Sequence, residues 1–183
     1  MTAVRVMLTY ADYVELPDDG KRYEIHDGEL SVTPTPTFWH QKILAALLGI
    51  LRGHVIAHDL GEVVPAPITV ILAEHTIVEP DIVFIGRDRM GIVSPRGTVD
   101  GAPTLAVEIL SPSTTRIDRE RKLQLYERYG VPHYWIVDPN ARAIDVYRSV
   151  SNRYDSPDHR VGEDLTDLSP FPGLRLDAAT LWR

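Results

Sequence analysis

Glu108 and Asp81 are the residues of this chain whose surroundings point most directly to chemistry. Glu108 lies inside the apolar run TLAVEILSPST (residues 104–114), and Asp81 begins the apolar run of EPDIVFI. Two carboxylates on adjacent strands are costly to bury unpaired, but they suit a hard divalent cation such as Mg²⁺, which takes oxygen ligands and keeps several waters. Such a cation would offset the burial, bind a phosphate oxygen and lower the pKa of water. The pair therefore predicts phosphoester hydrolysis.

A lysine is predicted to reach the same place from the helix that follows Glu108. We expect this helix from about Thr114 to Tyr129 of the chain, and one stripe at helical spacing consists of Asp118, Lys122, Leu125, Tyr126 and Tyr129. Because the apolar members must face the sheet, Lys122 lies at the edge of the buried face and can reach both acids. Its ammonium would orient water or steady developing charge.

Each of these residues also has a purely structural interpretation. Glu108 could be a buried acid paired with an arginine, and Asp81 could simply begin a strand after a proline. Lys122 could form a surface pair with Asp118, four residues earlier on the helix. Asp118 itself is expected beside the metal ligands rather than among them, and Tyr126 is expected to pack in the core with its hydroxyl near the site.

A hairpin and a helix start supply candidate accessory residues. The Asp27-Gly28 pair between alternating residues predicts a two-residue turn. One face of this hairpin, expected to be core, carries Tyr23, Ile25, Leu30 and Val32. The other face, expected to be solvated, carries Glu24, His26, Glu29 and Ser31. The next helix begins near Phe38, and His40 extends the apolar stripe at that end, either as a partly buried histidine or as a site residue.

The remaining elements predict an α/β or α+β sandwich around a mixed sheet. After the hairpin and a helix to about His54, two β segments and a loop rich in Gly and Pro precede the Glu108 strand. The helix that carries Lys122 leads to a buried strand at HYWIVDP, which AIDVYRS should pair with. We find no internal repeat and no domain-scale linker, so residues 1–183 are expected to form a single domain with helices flanking the sheet.

Composition narrows the class of protein. The formal net charge is −7, which argues against broad, non-specific attraction to nucleic acid. The chain has no cysteine, which excludes disulfides and thiolate metal sites and fits a reducing compartment. The first residues lack the pattern of a secretory signal, and no apolar run approaches membrane-spanning length. We therefore expect a cytoplasmic protein with no membrane partner.

The motifs, taken in order, resemble a known family. They are RYEIHDGEL, EPDIVFI, LAVEILSPST, RIDRERKLQLYERYGVPHYWIVDP and PGLRL, between about Leu8 and Leu181. This set resembles the Uma family of putative restriction-endonuclease-like proteins, a domain of unknown function within the PD-(D/E)xK nuclease superfamily. Asp81 after proline matches the first element of the superfamily pattern and Glu108 the second. Leu110 stands where the usual pattern places lysine, and the resemblance implies that Lys122 replaces it.

The resemblance implies a fold, a cofactor and site residues. The fold would be a restriction-endonuclease-like core with an N-terminal β-hairpin extension, and the cofactor Mg²⁺ or Mn²⁺. Asp81, Glu108 and the backbone carbonyl of Ile109 would contact the metal, and a metal-bound water would hydrolyse the phosphodiester. The family pattern includes Glu24 and Glu29, which makes both candidate accessory acids.

Two classes of function remain open at this point. The first is a metal-dependent endonuclease acting on DNA, expected as a homodimer because cutting both strands usually needs two sites. The second is a nuclease fold kept for binding DNA or a protein partner with weak or no catalysis, favoured by the net charge of −7 and by Leu110. Hydrolysis of a small phosphoester would use the same acids. A glycosidase is the weaker interpretation, because the tryptophans lie in unrelated segments.

Overall fold

The computed structural model describes residues 6–162 and 165–182, which form a mixed α/β fold of two mixed sheets flanked by helices. The described strands are β1 Arg22–His26, β2 Glu29–Thr33, β3 Gly61–Pro65, β4 Val70–Ala73, β5 Thr76–Val78, β6 Ile82–Gly86, β7 Val99–Asp100, β8 Leu105–Ile109, β9 His133–Asp138, β10 Ala143–Val150, β11 Arg153–Tyr154 and β12 Asp158–Val161. The predicted fold class is confirmed.

Helices cover both sheets. They are α1 Tyr10–Tyr13, α2 Phe38–Ala57, α3, which joins a π-helical segment at Ile117–Lys122 to α-helical turns at Leu123–Arg128, and α4 Ala178–Leu181, with a 3₁₀ helix at Arg87–Ile92. Within residues 6–162 and 165–182, no helix is both long enough and apolar enough to cross a bilayer.

The predicted hairpin forms and continues into a five-stranded sheet in the order β2-β1-β5-β4-β7. Its register is as predicted, with Glu24 opposite Ser31, and Asp27 and Gly28 take the positive φ values of 51° and 81° that such a tight turn requires. The face assignment was partly wrong. Glu24 is buried, whereas Val32 is 46% exposed. The reason is that β1 lies inside the sheet, between β2 and β5, whereas β2 is its edge.

The seven-stranded sheet positions the acidic residues. Its main order is β11-β10-β9-β8-β6-β3, with β8 parallel to β9 and antiparallel to β6. Side chains alternate between its faces. One face of β8, with Val107, packs on α2, and the other, with Ala106, packs on α3 and the five-stranded sheet. Glu108 has the parity of Ala106 and therefore lies beneath α3.

Several element boundaries differ from the prediction. The helix carrying Lys122 is π-helical through that residue, and both Asp118 and Lys122 are buried. The segment 86–103, predicted as a loop, contains the 3₁₀ helix and β7. At the chain end, Arg175 forms an isolated bridge with Thr166. The acidic stretch 151–169 contains β11 and β12, and its Glu163 and Asp164 lie outside the described residues.

Candidate active site

Asp81 and Glu108 lie side by side at the start of β6 and near the end of β8. The antiparallel register pairs Ile82 with Val107, so Asp81 directly precedes this pair and Glu108 directly follows it. Both side chains are nearly inaccessible, at 2% and 3% exposure. Since the two strands are rigid and buried, the separation and orientation of the carboxylates are fixed by the backbone.

Asp81 accepts three hydrogen bonds from different parts of the chain. Arg22 Nη1 lies 2.8 Å from Oδ1, while His40 Nε2 at 3.0 Å and the Ile109 N–H at 2.8 Å both reach Oδ2. Burial alone would raise the pKa of Asp81, but the hydrogen bond from His40 and the charges of His40 and Arg22 lower it below its ordinary value. Asp81 is therefore held as a carboxylate.

Glu108 receives two donors on one oxygen. Lys122 Nζ and the Tyr126 hydroxyl each lie 2.8 Å from Oε1. Burial raises the pKa of Glu108 well above its ordinary value; the charge of Lys122 opposes this, and the neighbouring carboxylates of Asp118 and Asp81 reinforce it. Lys122 thus compensates the negative charge of Glu108 only in part.

Lys122 is the cation of the cluster and it is buried, at 4% exposure. Its Nζ lies 2.8 Å from Oε1 of Glu24 as well as 2.8 Å from Oε1 of Glu108, and 3.9 Å from Oδ1 of Asp118. Burial disfavours the charged form, but Glu108 and Glu24 outweigh it and raise the pKa of Lys122. The lysine therefore stays protonated and acts as a fixed positive charge.

Glu24 and Asp118 complete the cluster, and their pKa values are shifted in opposite directions. Burial raises the pKa of Glu24, but the charge of Lys122 and the hydrogen bond from His26 outweigh it and lower that pKa. Oε1 of Glu24 also accepts the Glu79 N–H at 2.7 Å. For Asp118, burial prevails over Lys122 and raises the pKa to about 6. Asp118 can therefore exchange a proton near neutral pH.

The cluster opens into a cavity of about 260 Å³. Its charged and polar lining consists of Arg22, His40, Asp81, Glu108, Asp118 and Lys122, and segments 33–37 and 111–114 form the rest of the wall. A second cavity of about 360 Å³ shares Arg22 and Asp81 with the first. The two acids are thus accessible to a small polar group although their side chains are almost fully buried.

The donor set fits a hard divalent cation in its chemistry. Glu24, Asp81, Glu108 and Asp118 supply four carboxyl groups, whereas Arg22 and Lys122 supply two permanent positive charges. The Ile109 carbonyl faces the same side of β8 as its N–H, which contacts Asp81. Yet no group of three or more His, Asp or Glu side chains in the described part of the chain is arranged to hold a metal. Arg22 contacts Oδ1 of Asp81, and Lys122 contacts Oε1 of Glu108.

The structure brings together most of the residues selected from the sequence. Asp81, Glu108, Lys122, Glu24, His40, Asp118 and Tyr126 lie in one cluster, and the Ile109 backbone borders it. Glu29 does not join them. It lies on the edge strand, its side chain is 41% exposed, and it pairs with Arg121. An edge strand that turns its side chains to solvent cannot deliver this acid to the buried cluster.

Arg22 is the site residue that the sequence reasoning missed. It contacts Asp81, and its Nη2 also donates to the Glu79 carbonyl. A signal was available, because Arg22 lies two positions before Glu24 and residues two apart share a strand face. Because the strand face that carries Glu24 was predicted to be solvated, the pairing of Arg22 with Asp81 was not predicted.

Comparisons with known proteins identify relatives of the fold. The Uma2 family model, described as putative restriction endonuclease, matches residues 10–179. The crystal structure of a putative nuclease belonging to DUF820 from Anabaena variabilis ATCC 29413 superposes with a TM-score of 0.78. It shares 19% sequence identity and covers 96% of this chain and 97% of that chain, a likeness that shows the fold. Among curated proteins, no significant match was found.

Proposed function

The chain belongs to the Uma2 family of putative restriction endonucleases, and from this premise we propose that it is a metal-dependent endonuclease that hydrolyses DNA phosphodiester bonds. The observation that carries the proposal is the buried pair Asp81 and Glu108, fixed on neighbouring strands and open to a cavity. Carboxyl groups at such positions are destabilising unless something compensates them. Lys122 compensates Glu108 only in part, because burial and the carboxylates of Asp118 and Asp81 still raise the pKa of Glu108.

Asp81, Glu108 and the Ile109 carbonyl are the groups that would hold Mg²⁺ or Mn²⁺. When bound, such a cation supplies Lewis-acid activation of water and of the phosphodiester. Arg22, which contacts Oδ1 of Asp81, would give up this contact to a cation held by Asp81, and its guanidinium would then be available to a phosphate oxygen. The acids and the arginine would thereby exchange partners when the substrate enters.

The other residues have roles set by their own charges. Lys122, fixed between Glu24 and Glu108, would stabilise negative charge on the reacting phosphate. Asp118, with a pKa of about 6, lines the cavity and would take up the proton that hydrolysis releases. His40 and Tyr126 would hold Asp81 and Glu108 in place through their hydrogen bonds. Cleavage of both DNA strands would use two active sites, and we propose that a homodimer of the chain supplies them.

A second function is favoured by one specific observation. Arg22 already binds Asp81, and Lys122 already binds Glu108. Among residues 6–162 and 165–182, no group of three or more His, Asp or Glu side chains is arranged to hold a metal. A cluster satisfied by its own cations can be purely structural. The chain would then be a nuclease-fold module that binds DNA or a protein partner without catalysis. For either function, we propose a cytoplasmic location.

Metal binding separates the two functions. Calorimetric titration with Mn²⁺ should give binding for the wild type and none for Asp81→Ala/Glu108→Ala. Glu29→Ala, which removes an acid outside the cluster, is the matched control and should bind as the wild type does. Supercoiled plasmid should then be nicked with Mg²⁺ or Mn²⁺ by the wild type only. Equal Mn²⁺ binding by wild type and double variant, or nicking retained by the double variant, would contradict the endonuclease.

A further inference from the structure

Two neighbouring aromatic side chains are displayed to solvent at the first turn of α2. Phe38 is 73% exposed and Trp39 is 64% exposed. Their rings meet edge to face with centroids 5.3 Å apart. Rings of this size normally contribute to a core or an interface, so an exposed pair marks a surface that contacts something else.

The aromatic pair is adjacent in sequence to residues that line the candidate active site. Thr37 and His40, on either side of it in the chain, line the 260 Å³ cavity. Pro36 and Gln41 line the second cavity of about 360 Å³. The first turn of α2 thus borders both cavities and also carries the two rings, within reach of an extended ligand that occupies either cavity.

A positive charge accompanies the rings. Lys42 Nζ lies 5.1 Å from the centroid of the Trp39 ring, within cation–π range. Lys42 is exposed, and none of the described carboxylates forms an ion pair with it. The surface thus combines two flat apolar faces with an ammonium that remains available to a phosphate.

We propose that Phe38, Trp39 and Lys42 form a binding site for an unpaired DNA base and its phosphate. Resting on the proposed function, this defines the substrate class as DNA with unpaired bases, such as single strands or flaps. Exposed rings beside a cation stack on bases of any sequence while the cation holds the backbone. In an intact duplex the bases already stack on one another, so the rings have no free base face to contact.

The size of the patch favours a nucleobase over a second copy of the chain. A stable protein interface buries about 800 Å² on each partner. Two partly exposed rings supply less than about 500 Å². The next residues on the helix, Gln41 and Lys42, are polar and exposed, so the apolar surface does not extend along α2. A single base, flat and similar in size to one ring, matches what is exposed.

Tryptophan fluorescence in EDTA tests this site without any cleavage. Of the three tryptophans, Trp135 is fully buried, whereas Trp39 is exposed. Oligothymidylate should quench Trp39 emission, and a duplex of equal length should not. By anisotropy of labelled oligothymidylate, Phe38→Ala/Trp39→Ala should bind at least about fivefold more weakly, and Trp39→Phe should keep most of the affinity. Ile56→Ala, which removes a 66% exposed apolar residue at the far end of α2, is the matched control.

Three outcomes would overturn the inference. The first is unchanged oligothymidylate affinity in the double variant, and the second is duplex binding at least as tight as single-strand binding. The third is a change in oligomeric state with no change in affinity, which would assign the rings to a contact between copies. Base stacking without cleavage in Mg²⁺ or Mn²⁺ would refute the endonuclease and keep this site, whereas cleavage that persists with unaltered affinity would refute this site alone.

Discussion

Arg22 Nη1 lies 2.8 Å from Oδ1 of Asp81, one of the carboxylates proposed to hold a metal. The guanidinium would therefore compete with the proposed cation for Asp81. Its side chain is 19% exposed and borders both cavities, so it has room to move when a ligand enters. The contact that stabilises Asp81 without metal would thus oppose the proposed metal binding.

Removing this competitor should tighten metal binding. We expect Arg22→Ala to bind Mn²⁺ about tenfold more tightly than the wild type, because a hydrogen bond to a charged group contributes about 1.5–3 kcal/mol. Calorimetric titration measures the change. The control is Arg52→Ala, which removes an exposed arginine of α2 and should leave the Mn²⁺ affinity unaltered. An equal or weaker Mn²⁺ affinity in Arg22→Ala would show that the guanidinium does not compete.

The buried side chain of Lys122 should contribute more to the free energy of unfolding than the side chain of its neighbour Arg121. Lys122→Met leaves Glu24 and Glu108 buried without their cation, so we expect a loss of about 3–5 kcal/mol in the free energy of unfolding at pH 7. Urea denaturation gives this value. The matched control is Arg121→Met, which breaks a pair that is about 40% exposed on both sides and should cost less than about 1 kcal/mol. Similar losses in the two variants would mean that Lys122 is not the compensating charge.

Much of the site could be predicted because its signals are local. The apolar runs around Asp81 and Glu108 identify buried strands, and the stripe on the following helix brings Lys122 to the same end of the sheet. The turn at Asp27-Gly28 fixes the hairpin register. These features depend only on residues close in sequence, for which periodicity and turn chemistry are sufficient.

The rest depends on contacts between distant segments. The exposure of Leu30 and the burial of Glu24 follow from the position of β1 inside a sheet completed by β5, β4 and β7, which no local pattern reveals. Arg22 meets Asp81 only through that sheet. The π-helical geometry of the segment that carries Lys122 has no sequence signature in an otherwise regular amphipathic stretch. Tertiary packing decided each of these.

Asp118 should make the stability of the protein fall as the pH rises from about 4 to 6. Burial raises its pKa in the folded protein to about 6, above the 3.8 expected when unfolded. Between these values the folded state binds more protons than the unfolded state, so the free energy of unfolding decreases with increasing pH and is constant with respect to this group above the window. Asp118→Asn should remove this contribution. The difference in the free energy of unfolding between the variant and the wild type should therefore shift by about 1–3 kcal/mol in favour of the variant from pH 3 to pH 8.

The difference between the two proteins reports Asp118 together with the groups coupled to it. Asp81 and Glu24 have lowered pKa values, so both proteins lose their stabilising contributions as the pH falls. Glu108, whose pKa the Asp118 carboxylate helps to raise, adds its coupling to Asp118 to the difference. Urea denaturation at several pH values from 3 to 8 gives the difference curve. A difference that does not vary with pH would mean that Asp118 is ionised throughout, with Lys122 fully compensating it at 3.9 Å. That result would remove Asp118 as the proton acceptor near neutral pH and would leave Lys122 shared among three carboxylates.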